Sequence, residues 1–279
     1  MPDCLYALFF VNLHIYYKTF LMKKFILDLT VVENVRLNFQ YVLLKLTHSD
    51  KLPPVLPGQF VQVRVDGSPE TFLRRPISVN FVDTAKNELW LLIQVVGAGT
   101  RRLAEMNSGD ILNLIFPLGN TFTVPAGKNA RIALIGGGVG VAPLLIYGEW
   151  LYRNGYECNF MLGARSESDL LQLDEFSKYG RVFTTTEDGT HGEKGFITQH
   201  SLLNTPNFDY IYTCGPTPMM KAVARYAMEN GIFCEASLEN SMGCGIGSCL
   251  CCVTDTTEGN ICVCTEGPVF NITKLKWQF

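Results

Sequence analysis

Histidine is scarce in this chain: four occur in 279 residues, none spaced His-x3-His, so no histidine-based metal site is expected. Charge is also sparse, at 18% of residues with a net −3, which leaves no electrostatic footprint for nucleic acid. No run of about 20 apolar residues suited to crossing a bilayer is present. The apolar stretch Leu5 to Leu13 is interrupted by Asn12, followed by His14, and lacks a leading basic residue and a small-residue cleavage site. We expect residues 1–21 to be an upstream extension ahead of a natural start at Met22-Lys23-Lys24, with contact at a membrane surface as the less favoured alternative. Internal repeats and low-complexity tracts are absent, and without an export signal the expected location is the cytoplasm.

What remains is an ordinary globular composition, 47% hydrophobic, with a length that suits about two domains. From Phe25 to about Val124 the pattern is strand-like. Ile26 to Val32, Tyr41 to Leu46, Phe60 to Val65, Leu89 to Val96 and Ile111 to Ile115 are apolar or β-branched runs, separated by turn residues such as Pro53-Pro54 and Pro57-Gly58. Several short strands at this spacing predict a small β-barrel over residues 22–126. After Pro125 the pattern alternates between strands (Arg131 to Ile135, Glu157 to Leu162, Val182 to Thr186, Tyr210 to Cys214) and helices. Those helices are expected at Ala142 to Asn154 and at Pro218 to Glu229, with Thr217 as cap. That predicts a doubly wound parallel sheet over 127–234.

Six of the ten cysteines fall in the remaining segment, 235–279, between Cys244 and Cys264. Cys244-x4-Cys249-x2-Cys252, with Cys264 further on, is a thiolate-rich loop of the kind that holds a two-iron cluster, since each iron needs two sulfur ligands beyond the bridging sulfides. The glycines of the loop let the chain wrap a cluster and aim amide N–H groups at its sulfurs. Zinc is the competing metal, but tetrahedral Cys4 sites favour two Cys-x2-Cys knuckles and this chain has one. Cys251 and Cys262 are chemically able to substitute for neighbouring ligands, or are small buried apolar residues. A segment this small depends on its metal to fold.

Three further motifs suggest ligand contacts. Arg74-Arg75-Pro76-Ile77-Ser78, at the end of a strand-like region, offers a guanidinium to phosphate and a hydroxyl to a flavin ring, though alone it reads more readily as a surface arginine pair before a turn. Gly97-Ala98-Gly99-Thr100 precedes an expected helix from Arg101, which Thr100 can cap while the first N–H groups meet phosphate, or it is simply a tight turn. Gly136-Gly137-Gly138-Val139-Gly140 follows a buried strand and precedes a helix, where bare backbone lets a pyrophosphate approach; close strand-helix packing is the alternative. Cys214-Gly215-Pro216 ends a later strand at the carboxyl edge of the sheet, where Cys214 lies beside a nicotinamide or is a buried small residue.

Taken together and in order, Arg75-Pro76-Ile77-Ser78, Gly99-Thr100, Pro117-Leu118-Gly119-Asn120, Gly136 to Pro143, Cys214 to Met219 and the cysteine loop ending Cys264 to Phe270 resemble the electron-transfer subunits of class B dihydroorotate dehydrogenase, which belong to the ferredoxin reductase-like flavoproteins. The resemblance runs from Met22 nearly to the end. It implies an FAD-binding β-barrel, an NAD-binding α/β domain and a small C-terminal 2Fe-2S domain. It implies FAD contacts at Arg75, Pro76, Ile77, Ser78, Leu92, Ile93, Gln94, Gly99 and Thr100, and it supports Cys244, Cys249, Cys252 and Cys264 as cluster ligands. NAD is expected at Gly136, Gly137, Gly138, Gly140, Cys214, Gly215 and Pro216.

Gln94 stands where family members often carry a basic residue, and Phe116 and Thr121 replace glycines flanking Pro-Leu-Gly-Asn. The partner implied is an FMN-containing catalytic subunit, in a heterotetramer of two each, that oxidises dihydroorotate in pyrimidine synthesis. Electrons would pass through the cluster and FAD to NAD⁺, and this chain would not oxidise dihydroorotate alone. The alternative is a subunit exchanging electrons between NADP(H) and ferredoxin or a sulfur-linked partner. Arg165 and Ser166 after a central strand suit a 2′-phosphate, but a basic residue there is too common to decide the cofactor.

Overall fold

The computed structural model describes residues 23–205 and 207–278, so the expected extension over 1–21 lies outside the described residues. Strands β1 (Phe25–Arg36), β2 (Tyr41–Thr47), β3 (Phe60–Val63), β4 (Arg75–Asp83), β5 (Glu88–Gln94) and β6 (Ile111–Leu118) close into a barrel in the order β1-β2-β5-β4-β3-β6. Alternation fills its interior: Val42 and Leu44 of β2, Val61 and Val63 of β3, and Leu91 and Ile93 of β5 are fully buried in one apolar cluster. At roughly 2 kcal/mol for each fully buried aliphatic side chain, this interior drives closure of the barrel.

Two expectations about the barrel are corrected. Arg75-Pro76-Ile77-Ser78 opens β4 instead of ending a strand, because the residues after it, Val79-Asn80-Phe81-Val82, carry the run into the sheet. Helix α1 covers Ala98–Ala104, not a start at Arg101, with Gly97 as its N-cap. Thr100 therefore sits inside the first turn, and its hydroxyl reaches back to accept from the N–H groups of Val96 (2.9 Å) and Gly97 (3.0 Å).

The second module is a sheet in the order β10-β9-β8-β7-β11-β12-β15, formed by β7 (Ile132–Gly137), β8 (Cys158–Ala164), β9 (Arg181–Thr186), β10 (Glu193–Lys194), β11 (Tyr210–Cys214), β12 (Phe233–Ser237) and β15 (Val269–Asn271). All neighbours pair in parallel except β12 and β15, which are antiparallel. Helix α2 (Ala142–Arg153), with Pro143 in its first turn, packs on one face. Helix α3 (Leu173–Ser177) follows β8, and α4 (Thr217–Glu229) begins one residue earlier than expected and covers the other face with Val223, Ala224 and Ala227. Strands β13 (Val253–Thr256) and β14 (Gly259–Cys262) form a hairpin inside the cysteine-rich segment. That segment returns through β15 to the sheet, so Cys252 and Cys264 share one apolar cluster with Phe60 of the barrel and Ala236 of the sheet.

Candidate functional site

Three neighbouring features make up the site. The first is the thiol loop. Its backbone points at sulfur repeatedly: the N–H groups of Ile246 (3.5 Å) and Ser248 (3.3 Å) donate to Cys244 Sγ, that of Cys244 to Cys249 Sγ (3.4 Å), that of Gly247 to Cys264 Sγ (3.2 Å) and that of Cys264 to Cys252 Sγ (3.4 Å). Such donors stabilise negative charge on sulfur. Burial works against the Cys244 thiolate, yet the N–H groups of Ile246, Cys249 and Ser248 together with the Cys249 thiol bring its pKa down to about 6. Cys264 is pushed up to about 12, first by burial and then by Cys252 beside it.

Among the described residues no three His, Cys, Asp or Glu side chains converge on one ion. The thiols are free and stand as two neighbouring pairs linked through backbone N–H groups, Cys244 with Cys249 and Cys252 with Cys264. Two pairs of thiolates under a canopy of N–H donors fit a two-iron cluster, in which each iron takes two protein sulfurs. Cys251 is turned away: it is exposed, and its thiol donates to Ser241 O at 3.8 Å. Cys262 lies against Cys252 at the end of β14, packed on the same apolar cluster.

The second feature is a cavity of 240 Å³ on the barrel's flank. The sheet register places Arg75 to Ser78 at its wall, alternation in β5 aims Leu92 and Gln94 into it, and Thr100 closes one end. Seven of the nine residues expected to contact FAD thus line one cavity. Ile93, on the opposite face of β5, is fully buried inside the barrel and presents only backbone, while Gly99 packs beside Arg75, whose Nε lies 3.1 Å from where a Cβ would stand. The arginine pair divides its labour: Arg75 lines the cavity, whereas Arg74 Nη1 donates to the carbonyls of Gln62 and Asn113 (both 3.1 Å) and braces the barrel wall. The far side of the cavity is closed by Leu238, Met242 and Pro268, from the cysteine-rich segment and the strand leading to it. A long apolar slot with an arginine and a hydroxyl at one wall fits a flavin nucleotide.

The third is a cavity of 530 Å³ at the carboxyl edge of the sheet, where ligands bind in open α/β folds. Gly137, Gly138, Gly140 and Pro216 line it; Gly136 does not, since a Cβ there would stand 2.8 Å from Leu144 of α2, the packing role left open above. Arg165 lines it too, whereas the Ser166 hydroxyl is bonded to Ser168 and Asp169. Cys214 is fully buried, and its thiol donates to Glu239 Oε1 at 3.9 Å. Burial and then the Glu239 charge push that thiol far up.

The two cavities meet at Gln94, Val139 and Glu239, which line both. Glu239 is open to solvent at this junction, yet the walls of the two cavities stand close around it, and the partial desolvation raises its carboxyl above the usual range. Sequence reasoning missed Glu239; the signal available was a second acid, four residues after Glu235, in the approach to the cysteine loop, Glu235-Ala236-Ser237-Leu238-Glu239.

Comparison with known proteins agrees with this geometry. Residues 239–276 match the family model of the iron-sulfur cluster binding domain of dihydroorotate dehydrogenase B, and residues 134–225 that of the oxidoreductase NAD-binding domain. The chain is 39% identical over 221 residues to the dihydroorotate dehydrogenase B (NAD(+)) electron transfer subunit of Shouchella clausii, covering 77% of this chain and 85% of that one. To the subunit of the same name from Lysinibacillus sphaericus it is 40% identical over 228 residues, covering 80% and 88%. Among solved structures, an NADH-dependent reduced ferredoxin-NADP oxidoreductase superposes with a TM-score of 0.80 at 29% identity, covering 89% of this chain and 90% of that chain. The ferredoxin reductase of carbazole 1,9a-dioxygenase, at 24% identity and a TM-score of 0.65, shares the fold.

Proposed function

This chain belongs to the family of dihydroorotate dehydrogenase B electron transfer subunits, and from that premise we propose how its residues serve transfer between a partner catalytic subunit and NAD⁺ in pyrimidine synthesis. The observation that carries the proposal is the continuity of the three sites. The segment holding the thiols also closes the barrel cavity, and that cavity opens into the one at the sheet edge through Gln94, Val139 and Glu239. When bound, the cluster supplies one-electron exchange and FAD converts single electrons into the hydride that NAD⁺ accepts.

Cys244, Cys249, Cys252 and Cys264 would hold the cluster, and the N–H groups of Cys244, Ile246, Gly247 and Ser248 would stabilise its negative charge. Arg75 offers a guanidinium to the flavin nucleotide's phosphates, Ser78 a hydroxyl to its ring, and Leu92 and Pro76 an apolar wall that excludes water. Gln94 is held by donating to Tyr41 Oη at 3.3 Å, so its amide is oriented at the junction. Gly137, Gly138 and Gly140 admit the dinucleotide's pyrophosphate, and Pro216 bounds the space for its nicotinamide, with Gly215 behind the wall against Gly137 and Gly140.

The divisions 22–126, 127–234 and 235–279 are the units we assign to FAD, NAD and the cluster. The partner we assign is an FMN-containing subunit, paired two and two. No helix among the described residues is long and apolar enough to cross a membrane. We place the chain in the cytoplasm, where thiols such as these stay reduced.

The test is an anaerobic visible spectrum of the chain co-expressed with a candidate FMN subunit, recorded before and after dihydroorotate, with NAD⁺ added last. Bleaching by dihydroorotate and recovery with NADH formation is the expected result. Bleaching by NADH or NADPH but not by dihydroorotate would move the function to the ferredoxin- or sulfur-linked oxidoreductases that share this architecture.

A further inference from the structure

Gln62 is an anomaly in a well-satisfied interior. It is fully buried, yet neither its Nε2 nor its Oε1 has a hydrogen-bond partner in the chain. A primary amide carries two donors and an acceptor, and leaving all of them unpaired out of water is costly. Buried orphans of this kind call for an explanation, and a group bound at that point is one.

The position of the residue supplies the explanation. In β3, alternation sends Val61 and Val63 into the barrel and Phe60 and Gln62 to its outer face, and Phe60 packs there in one cluster with Met242, Cys252 and Cys264. Gln62 pairs across the sheet with Pro76 of the flavin-cavity wall. On its other side it meets the thiol loop: a Cβ built on Gly245 would lie 2.5 Å from Gln62 Cγ and 2.6 Å from Nε2. Gly245 has φ +71 and stands next to Cys244, so the loop is bare where the amide presses on it. The barrel thus presents an unpaired amide to the ligand loop, next to Cys244.

We propose that the Gln62 side-chain amide donates through Nε2 to a sulfur of the iron-sulfur centre held by this loop, and so raises that centre's reduction potential from the barrel side. A donor to sulfur favours the reduced, more negative state, which sets the direction of the effect. The backbone N–H donors come from the loop itself; Gln62 is a donor from the flavin-binding module, which makes the potential depend on how the two modules are docked. The inference rests on the cluster reading above.

The test separates the two readings. Iron and acid-labile sulfide in the purified wild-type protein establish the cluster; their absence would remove both. With cluster present, redox titration of Gln62→Leu is expected to show the centre harder to reduce by about tenfold, ~59 mV for one electron, at unchanged iron content. Gln62→Glu, which keeps the shape but loses the donors, is expected to shift in the same direction. Pulsed EPR of the reduced wild-type protein, with glutamine side chains labelled with ¹⁵N, is expected to show a coupled side-chain nitrogen, and this needs no variant to fold. An unshifted potential in Gln62→Leu, or no side-chain nitrogen coupling, would overturn the proposal.

Discussion

Gly140 and Gly215 lie back to back: a Cβ on Gly140 would stand 2.3 Å from Gly215 Cα and 2.4 Å from its backbone nitrogen. The turn after β7 and the turn after β11, adjacent parallel strands, are therefore in backbone contact at the floor of the dinucleotide cavity. Because the obstacle is backbone, no rotamer change can relieve it. Gly140→Ala is expected to cost ~3 kcal/mol, the upper range for overpacking, and to abolish NAD⁺ binding by driving Gly215 and Pro216 out of place. Urea denaturation with calorimetric titration of NAD⁺ checks both; normal NAD⁺ affinity would refute the contact's importance.

The paired cysteines predict a split between neighbours in sequence. Cys252→Ser should remove most of the iron and lower the melting temperature, since Cys252 is buried in the shared apolar cluster and faces Cys264. Cys251→Ser should leave iron content and visible absorbance unchanged, because that thiol is exposed and bonded to Ser241 O. Equal iron loss in both variants would contradict the assignment.

Glu239 makes stability depend on pH in a definite direction. Its carboxyl is raised in the folded chain, mainly by desolvation between the cavity walls, with the Cys214 hydrogen bond opposing. A raised carboxyl favours folding below its unfolded value, and that contribution is lost as pH rises through the folded value. Glu239→Gln should therefore match wild type below about pH 4 and resist urea better at neutral pH. Parallel stability profiles from pH 4 to 8 would exclude the effect.

Much of the architecture was legible in the sequence because the barrel and sheet strands are apolar runs bounded by proline and glycine. Strand β4 was not, since its first residues form the ligand motif and its burial begins only at Val79. The thiol ligands were legible because spacing within one loop fixes their proximity. The roles of Glu239 and Gln62 were not: the first depends on two cavities meeting and the second on β3 docking against a loop more than 180 residues away in the chain. The same holds for Arg74 and Arg75, identical side chains that one step along the chain sends into different work.

Asn120, the last residue of Pro117-Leu118-Gly119-Asn120, fastens the end of the barrel to the cysteine-rich segment. Its Nδ2 donates to Glu266 O (2.7 Å) and Val269 O (3.0 Å), and its Oδ1 accepts from Val269 N (3.1 Å). Its own N–H donates to Gly267 O at 2.6 Å. These bonds hold Cys264 by the residues that follow it, so the clamp acts on the ligand loop more than on the barrel. Asn120→Ala should cost ~2–3 kcal/mol, by removing three side-chain bonds and leaving their backbone partners to find water. The loss should appear unevenly: iron should be released to a chelator several-fold faster, while Trp90, buried in the barrel wall, should report a nearly unchanged local environment by fluorescence. Asn120→Asp, which keeps the acceptor for Val269 N but turns carboxylate oxygens toward two carbonyls, should release iron at least as fast as the alanine variant. A chelation rate equal to wild type in both would show that the segment is held by its apolar packing alone.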